Sequence, residues 1–356
     1  MTEGPSANRL SVAPGLALVS AALFGVSTPI AKLLGDGVNA WLLAGLLYLG
    51  SGIGLVVWRA ARRTAGAAPQ ETKLAWADAP WMAAIVFFGG VAAPLLLMFG
   101  LKTTAGSTAS LLLNLEGLAT MMIAWFVYRE SVDRRLLLGA AAILAGAIVL
   151  SWDFSAVALS GGAAQIAAAC LCWGIDNNLT RKLSAADPVQ IATIKGLAAG
   201  VTNTALGLWI AGEVPALGTV AAIGVLGLCA YGVSLVLFVH ALRALGTART
   251  GAYFSTAPFA GALLAIPLLG ESLTLTLLVA AALMGLGVWL HLTERHEHWH
   301  EHEPLTHAHA HAHDEHHQHA HGPGDPLSEP HAHVHTHAPL RHKHPHYPDL
   351  HHRHGH

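Results

Sequence analysis

The sequence predicts an all-α polytopic membrane protein, with ten transmembrane helices arranged as two inverted five-helix repeats. Three observations carry that prediction. Of 356 residues, 53% are hydrophobic and only 11% charged, whereas an ordinary soluble domain carries about 25% charged residues. Ten apolar segments qualify for the roughly 20 residues that a helix needs to cross a hydrocarbon core. The basic residues between them alternate in abundance from one loop to the next.

In order, the spans run over 13–34, 39–58, 80–101, 105–128, 135–152, 161–180, 189–211, 217–241, 248–269 and 273–293. The runs are too long and too unbroken for barrel strands. Glycine is frequent within them, as close helix contact in lipid requires. The opening MTEGPSANRLSVAPG lacks the basic start and small-residue cleavage site of a signal peptide, so the first run is expected to stay in the membrane. Lys32 and Lys102 stand at the odd-numbered loops. Arg59, Arg62, Arg63, Lys73, Arg129, Arg134, Arg135, Arg181, Lys182, Arg243 and Arg249 stand at the even ones. The positive-inside rule then places the even loops and both termini in the cytoplasm, in a bacterial-type inner (plasma) membrane. Cys170, Cys172 and Cys229 lie inside apolar runs, without metal-ligand spacing, and read as packing residues. Trp41, Trp58, Trp81, Trp125, Trp209 and Trp289 sit near span ends, like an interfacial belt.

The two halves repeat one another. FGVSTPIAKL (24–33) aligns with WGIDNNLTRKL (173–183), and YRES (128–131) with LGES (269–272). The loop RRTAGAAPQETKLAWAD accounts for the difference in offset. Each half holds an odd number of helices, so the second begins on the opposite side of the membrane. In inverted repeats the substrate sits near the midplane, at interrupted helices. Here Ser27-Thr28-Pro29 corresponds to Asp176-Asn177-Asn178, and Gly117 to Pro258. The expected breaks, Pro29, Gly117 and Pro258, thus fall in the first and fourth helices of the repeats. The organisation is residues 1–12 as a short tail, 13–152 and 153–293 as repeats, and 294–356 as a second tail.

LLLNLEGLATMMIAWFVYRE in the fourth span, STAPFAGALLAIPLLGE in the ninth, and the FG and WG of the first and sixth resemble the ten-helix, EamA-type branch of the drug/metabolite transporter superfamily. The resemblance covers residues 13–293. It implies a carrier of two tandem repeats that moves small organic solutes by alternating access, and it leaves the substrate open. Gly117 departs from the family's more usual Pro after Glu.

A charge at the centre of a spanning helix costs about 2.5–3.5 kcal/mol on insertion scales, so Glu116 stands out. It reads as a carboxylate that binds a cationic group or carries a proton, or as a protonated group bonding a neighbouring helix. Asn114 lies two residues away, able to hydrogen-bond a solute. Asp176 is about 8 Å from the cytoplasmic end of its helix and Lys195 about 10 Å into the next. That depth allows an ion pair, or alternate engagement of substrate together with Asn177. Glu130 and Glu271 read as caps or loop bridges, Lys102 and Arg243 as snorkelling anchors, and His240 as structural or interfacial.

From His291 onward lie 24 of the 25 histidines. Pro and Gly interrupt this tail and it has little to build a core from, so composition predicts disorder. Neutral imidazole binds Zn, Ni and Co. The candidate ligands are His307, His309, His311, His313, His316, His317, His319, His321, His331, His333, His335 and His337.

The leading function is a secondary transporter of a small organic solute with a metal-binding tail. Carriage of a divalent metal (Ni, Co or Zn) or its complex, and a non-transporting metal sensor or buffer, are the alternatives. Enzymatic motifs, a phosphate-binding loop and a requirement for a cofactor are not expected, so active transport would draw on a gradient. The lipid bilayer, a small solute and divalent metals are the expected partners. Nucleic acid is not among them, given the near-neutral net charge, and a homodimer is left open.

Overall fold

The computed structural model describes residues 5–64, 74–128, 134–153, 158–183, 186–212, 214–238, 240–241, 253–293, 297–302, 306–311, 331–336 and 340–345. Helix occupies each of the ten predicted spans. The first span holds α1 (Pro5–Gly25) and α2 (Ser27–Leu34), and the second α3 (Ala40–Thr64). The third holds α4 (Ala79–Ile85), a π-helix (Val86–Ala92) and α5 (Ala93–Thr103). The fourth is split into α6 (Gly106–Leu112) and α7 (Asn114–Tyr128), and the fifth is α8 (Arg134–Ser151). A two-residue antiparallel ladder, β1 (Trp152–Asp153) with β2 (Ala158–Leu159), leads to α9 (Gly161–Thr180) and α10 (Pro188–Ala211). The eighth span holds α11 (Leu217–Gly227) and a second π-helix (Leu228–Val233). α12 (Ala257–Leu269) and α13 (Leu275–Leu292) complete the bundle.

Local chemistry sets several of these ends. Asp187 caps α10 by accepting from the Val189 amide, with Pro188 at the first helical position, and Gly212 ends the helix at φ 67°. Thr274 caps α13 by accepting from the Leu277 amide, and Gly270 ends α12 at φ 65°. These are the side-chain acceptors and left-handed terminators that helix ends favour. Six of the described stretches are long and apolar enough to cross a membrane. α9 and α10, of 20 and 24 residues, are long enough, but Asp176, Asn177, Asn178, Lys195 and Asn203 dilute their apolar character.

Helices in lipid associate through close packing rather than through exclusion of water. α10 runs along α3, α8 along α13, and α9 packs between α5 and α7. At the α3–α10 seam a Cβ on Gly196 would lie 2.9 Å from the Gly52 Cα, so only glycine permits this approach. The shared core includes Leu47, Leu97, Leu112, Ile166, Trp173 and Met284.

The irregular segments repeat between halves. The π-helices begin at Val86 and Leu228, and the fourth and ninth spans break at Leu113 and at Ser255–Thr256. This pattern corrects three expected breaks. Gly117 lies inside α7, and the interruption comes at Leu113, where the Glu116 amide bonds the Leu113 carbonyl over a three-residue span. Pro29 lies in the first turn of α2, with the interruption at Val26, and Pro258 occupies the first turn of α12 after its break. Residues Asp176-Asn177-Asn178 do not soften the sixth span. Asn178 Nδ2 bonds the Gly174 carbonyl one turn back, and α9 continues through them.

The described stretches of the tail are strands, where composition predicts disorder. β3 (Glu297–His302) pairs antiparallel with β6 (Leu340–Pro345), and β4 (Thr306–His311) with β5 (His331–Thr336). Histidine alternating with small residues is a period-two pattern, which fits a strand, and a composition argument does not register period.

Candidate functional site

Glu116 sits on the first turn of α7, just past the Leu113 interruption, and is half-buried. Its Oε1 accepts from Asn177 Nδ2 of α9 at 3.0 Å. The same amide lies 3.2 Å from Thr120 Oγ1, and that hydroxyl donates to the Glu116 carbonyl at 2.9 Å. Glu116 and Thr120 are four residues apart and share a helix face. Asn178 Nδ2 reaches the Thr120 carbonyl at 3.1 Å, fastening α9 to α7 beneath the carboxylate.

One residue before Asn177, Asp176 turns into the bundle. Its Oδ2 is 2.5 Å from Lys195 Nζ of α10, and the two side chains are 4% and 20% exposed. The π-helix of the third span presses against this pair. A Cβ on Gly89 would lie 2.1 Å from Asp176 Oδ2, so glycine is required there. The π turn also leaves carbonyls available to other helices, as such turns at functional sites do. The Gly89 carbonyl accepts from Tyr48 Oη at 2.7 Å and from Trp173 Nε1 at 3.2 Å, and the Gly90 carbonyl from Asn203 Nδ2 at 2.9 Å.

Tyr48 packs against Tyr231 with ring centroids 5.3 Å apart and planes tilted by 34°, and Phe24 meets Tyr231 edge-on at 5.8 Å. Tyr48, Tyr231, Asp176 and Lys195 all lie within electrostatic range of Glu116. The cluster therefore holds two carboxylates and one ammonium. Lys195 compensates Asp176 directly, and Glu116 rests on a neutral amide.

The structure thus brings Glu116, Asp176, Asn177 and Lys195 together. It sends Asn114 elsewhere: its Nδ2 donates to the Leu111 carbonyl at 2.9 Å and lies 3.9 Å from Met284 Sδ on α13. Residues two apart on a helix point about 200° apart, which separates Asn114 from Glu116. Sequence reasoning missed Thr120, Tyr48, Gly89, Trp173 and Tyr231. Thr120 was detectable as the hydroxyl four residues beyond Glu116, and Tyr48 as the one tyrosine of the second span. Gly89 carries no signal until the helices are packed, and Trp173 was marked only as part of the WG that opens the repeat in the sixth span.

A second polar cluster ties the opposite ends of several helices. Glu271, just after the left-handed Gly270, accepts from the Gly106 amide (2.5 Å), the Ser107 amide (2.9 Å) and Ser107 Oγ (2.5 Å). Nearby, Lys32 Nζ donates to the carbonyls of Leu101 (2.5 Å) and Thr104 (2.7 Å). A cavity of about 290 Å³ opens beside Glu271, lined by Ala105, Ser107, Thr108, Ser272, Thr274 and Leu277. Arg59 pairs with Asp187 at 3.4 Å, and Lys182 Nζ sits 3.7 Å from the Trp81 ring centre. Glu130 and Arg243 lie outside the described residues. Lys102 is exposed, as an anchor at a helix end should be.

Among the residues whose side chains are described, no three His, Cys, Asp or Glu groups converge as metal ligands, and the three cysteines are free. Of the candidate tail ligands, His307, His309, His311, His331, His333 and His335 fall on β4 and β5. His313, His316, His317, His319, His321 and His337 lie outside the described residues.

Comparison with known proteins places this geometry. The profile of the EamA-like transporter family matches residues 13–152 and 160–293. A protein of Methanothermobacter thermautotrophicus described as an uncharacterized transporter is 32% identical over 194 residues, 52% of this chain and 56% of that protein. The match therefore spans little more than half of that relative's length. A protein of known crystal structure is similar in fold, with a TM-score of 0.59 at 19% identity over 78% of this chain and 95% of that one.

Proposed function

The chain belongs to the EamA-like transporter family, and we propose that it is a secondary carrier moving a small organic solute by alternating access. It is a multi-pass membrane protein. In our reading both termini face the cytoplasm across an inner (plasma) membrane, which the loop bias in Lys and Arg supports. One observation carries the site assignment: Glu116 is held by Asn177 at 3.0 Å, beside an Asp176–Lys195 pair that is already neutralised. Intramembrane carboxylates mark substrate and ion pathways. Glu116 accordingly meets the cationic group of the solute or the coupling proton, and Asn177 orients it. Asp176 and Lys195 shape the floor of the site. The sequence lacks a nucleotide-binding loop, so the carrier draws on a solute or proton gradient.

A second reading, carriage of Ni, Co or Zn, takes its support from the histidine-rich tail, which in our proposal binds such metals on the cytoplasmic side. The bundle lends it less: Asp176 is engaged by Lys195, leaving Glu116 short of the several ligands that a dehydrated ion takes. The test is flux into proteoliposomes for a panel of amines, amino acids and Ni, Co and Zn, with wild type and Glu116→Gln. We expect at least one organic solute to be carried by wild type above empty liposomes, and its flux to fall to background in the variant. Flux of metals alone would transfer the assignment to the second reading. An organic flux unchanged by the variant would remove Glu116 from the site.

A further inference from the structure

The strand register of the tail orders its histidines more than composition does. Across β4 and β5, His307 lies opposite His335, His309 opposite His333, and His311 opposite His331. Across β3 and β6, His298 lies opposite His344 and His300 opposite His342. The two ladders share one register, since position i faces position 642 − i in both.

Neighbouring residues of a strand belong to opposite faces of the ribbon. Positions 307, 309, 311, 331, 333 and 335 therefore share one face of the β4–β5 ribbon, and positions 306, 308, 310, 332, 334 and 336 (Thr, Ala, Ala, Ala, Val, Thr) share the other. Opposite positions in an antiparallel pair are about 4.5–5.5 Å apart between Cα atoms, and the next pair on the same face is about 7 Å along the strand. Two adjacent pairs thus gather four histidine positions into one small patch. Four-coordinate zinc is satisfied by three or four imidazole nitrogens, and imidazole suits nickel, cobalt and copper as well.

We infer that the β4–β5 ribbon is a divalent transition-metal site whose ligand set is specified by strand register, with His309 and His333 as its central pair. The inference rests on the reading of the tail as metal-binding and sharpens it from a pool of exchangeable imidazoles to a defined set. His309 and His333 combine either with His307 and His335 or with His311 and His331. Both sets share the central pair, so the ribbon holds one tightly bound ion. Ligation needs neutral imidazole, and binding therefore releases protons in mildly acidic buffer.

Register can be changed without changing composition. In the full-length protein, reversing the His-Ala order over residues 307–312 (His307→Ala, Ala308→His, His309→Ala, Ala310→His, His311→Ala, Ala312→His) keeps the same number of histidines. It moves those of β4 to the opposite face. A second variant adds the same reversal on β5 (His331→Ala, Ala332→His, His333→Val, Val334→His, His335→Thr, Thr336→His) and restores facing pairs at 308/334 and 310/332. The probe is cobalt(II) added to nanodisc-embedded protein, read by the visible absorption of the bound ion. We expect the tightest cobalt site to weaken at least tenfold in the first variant and to recover in the second. Equal affinity in wild type and both variants would overturn the register-built site and leave a tail that chelates by composition. No cobalt bound by wild type would overturn the metal-binding reading itself.

Discussion

Glu271 accepts from two backbone amides and a hydroxyl, whereas Glu116 accepts from a single side-chain amide among the described residues. Both carboxylates bridge separate spanning segments, one at α6 and the other at α9. A carboxylate surrounded by three donors at a helix start is fixed in place and has little capacity left for a solute. A carboxylate on one neutral donor, half-buried beside a compensated ion pair, retains acceptor sites. The difference separates a structural fastening from a working group by the number and kind of donors, which depth in the membrane alone does not do.

The contrast can be broken most forcefully at the ion pair that isolates Glu116. Asp176→Asn leaves Lys195 charged without its partner, and breaking a buried pair on one side costs about 3–5 kcal/mol. The expected result is a large fall in the melting temperature of the detergent-solubilised protein, partly recovered by adding Lys195→Met. A single variant as stable as wild type would mean that Lys195 finds another anion, with Glu116, already within its electrostatic reach, as the candidate. At the other carboxylate, Glu271→Gln weakens the fastening of α6. Hydrogen bonds to a charged group contribute about 1.5–3 kcal/mol, and a loss of that order should appear in thermal melts, with solute affinity at the central site retained. The smallest effect is expected at Tyr48→Phe, which removes one donor from the Gly89 carbonyl while Trp173 remains. A neutral hydrogen bond contributes about 0.5–1.5 kcal/mol, and a stability change in that range, with flux reduced less than by Glu116→Gln, would place Tyr48 as support for the site.

Much of this contrast was legible before any fold was known. Hydropathy and length pointed to ten spans, and each of them holds helix among the described residues. The cost of charge in lipid singled out Glu116, Asp176 and Lys195. Angular position did not come through: Asn114 is a near neighbour of Glu116 in the chain but faces α13. Nor did the π-helices: the carbonyls of the first meet Tyr48, Trp173 and Asn203 only once the helices are packed. The unbroken α9 was hidden for a similar reason, as Asn178 bonds back to its own helix rather than opening it. In the tail, composition spoke for disorder while the alternation of His and Ala matched the strand pairing.

The most direct test measures solute flux and melting temperature together for Glu116→Gln and Glu271→Gln in the same preparation. Opposite outcomes are expected. Glu116→Gln should lose flux to background with a melting temperature close to wild type, and Glu271→Gln should melt lower while the fraction that stays folded still binds solute at the central site. Normal flux in Glu116→Gln, or loss of solute binding in folded Glu271→Gln, would contradict the division of labour between the two carboxylates.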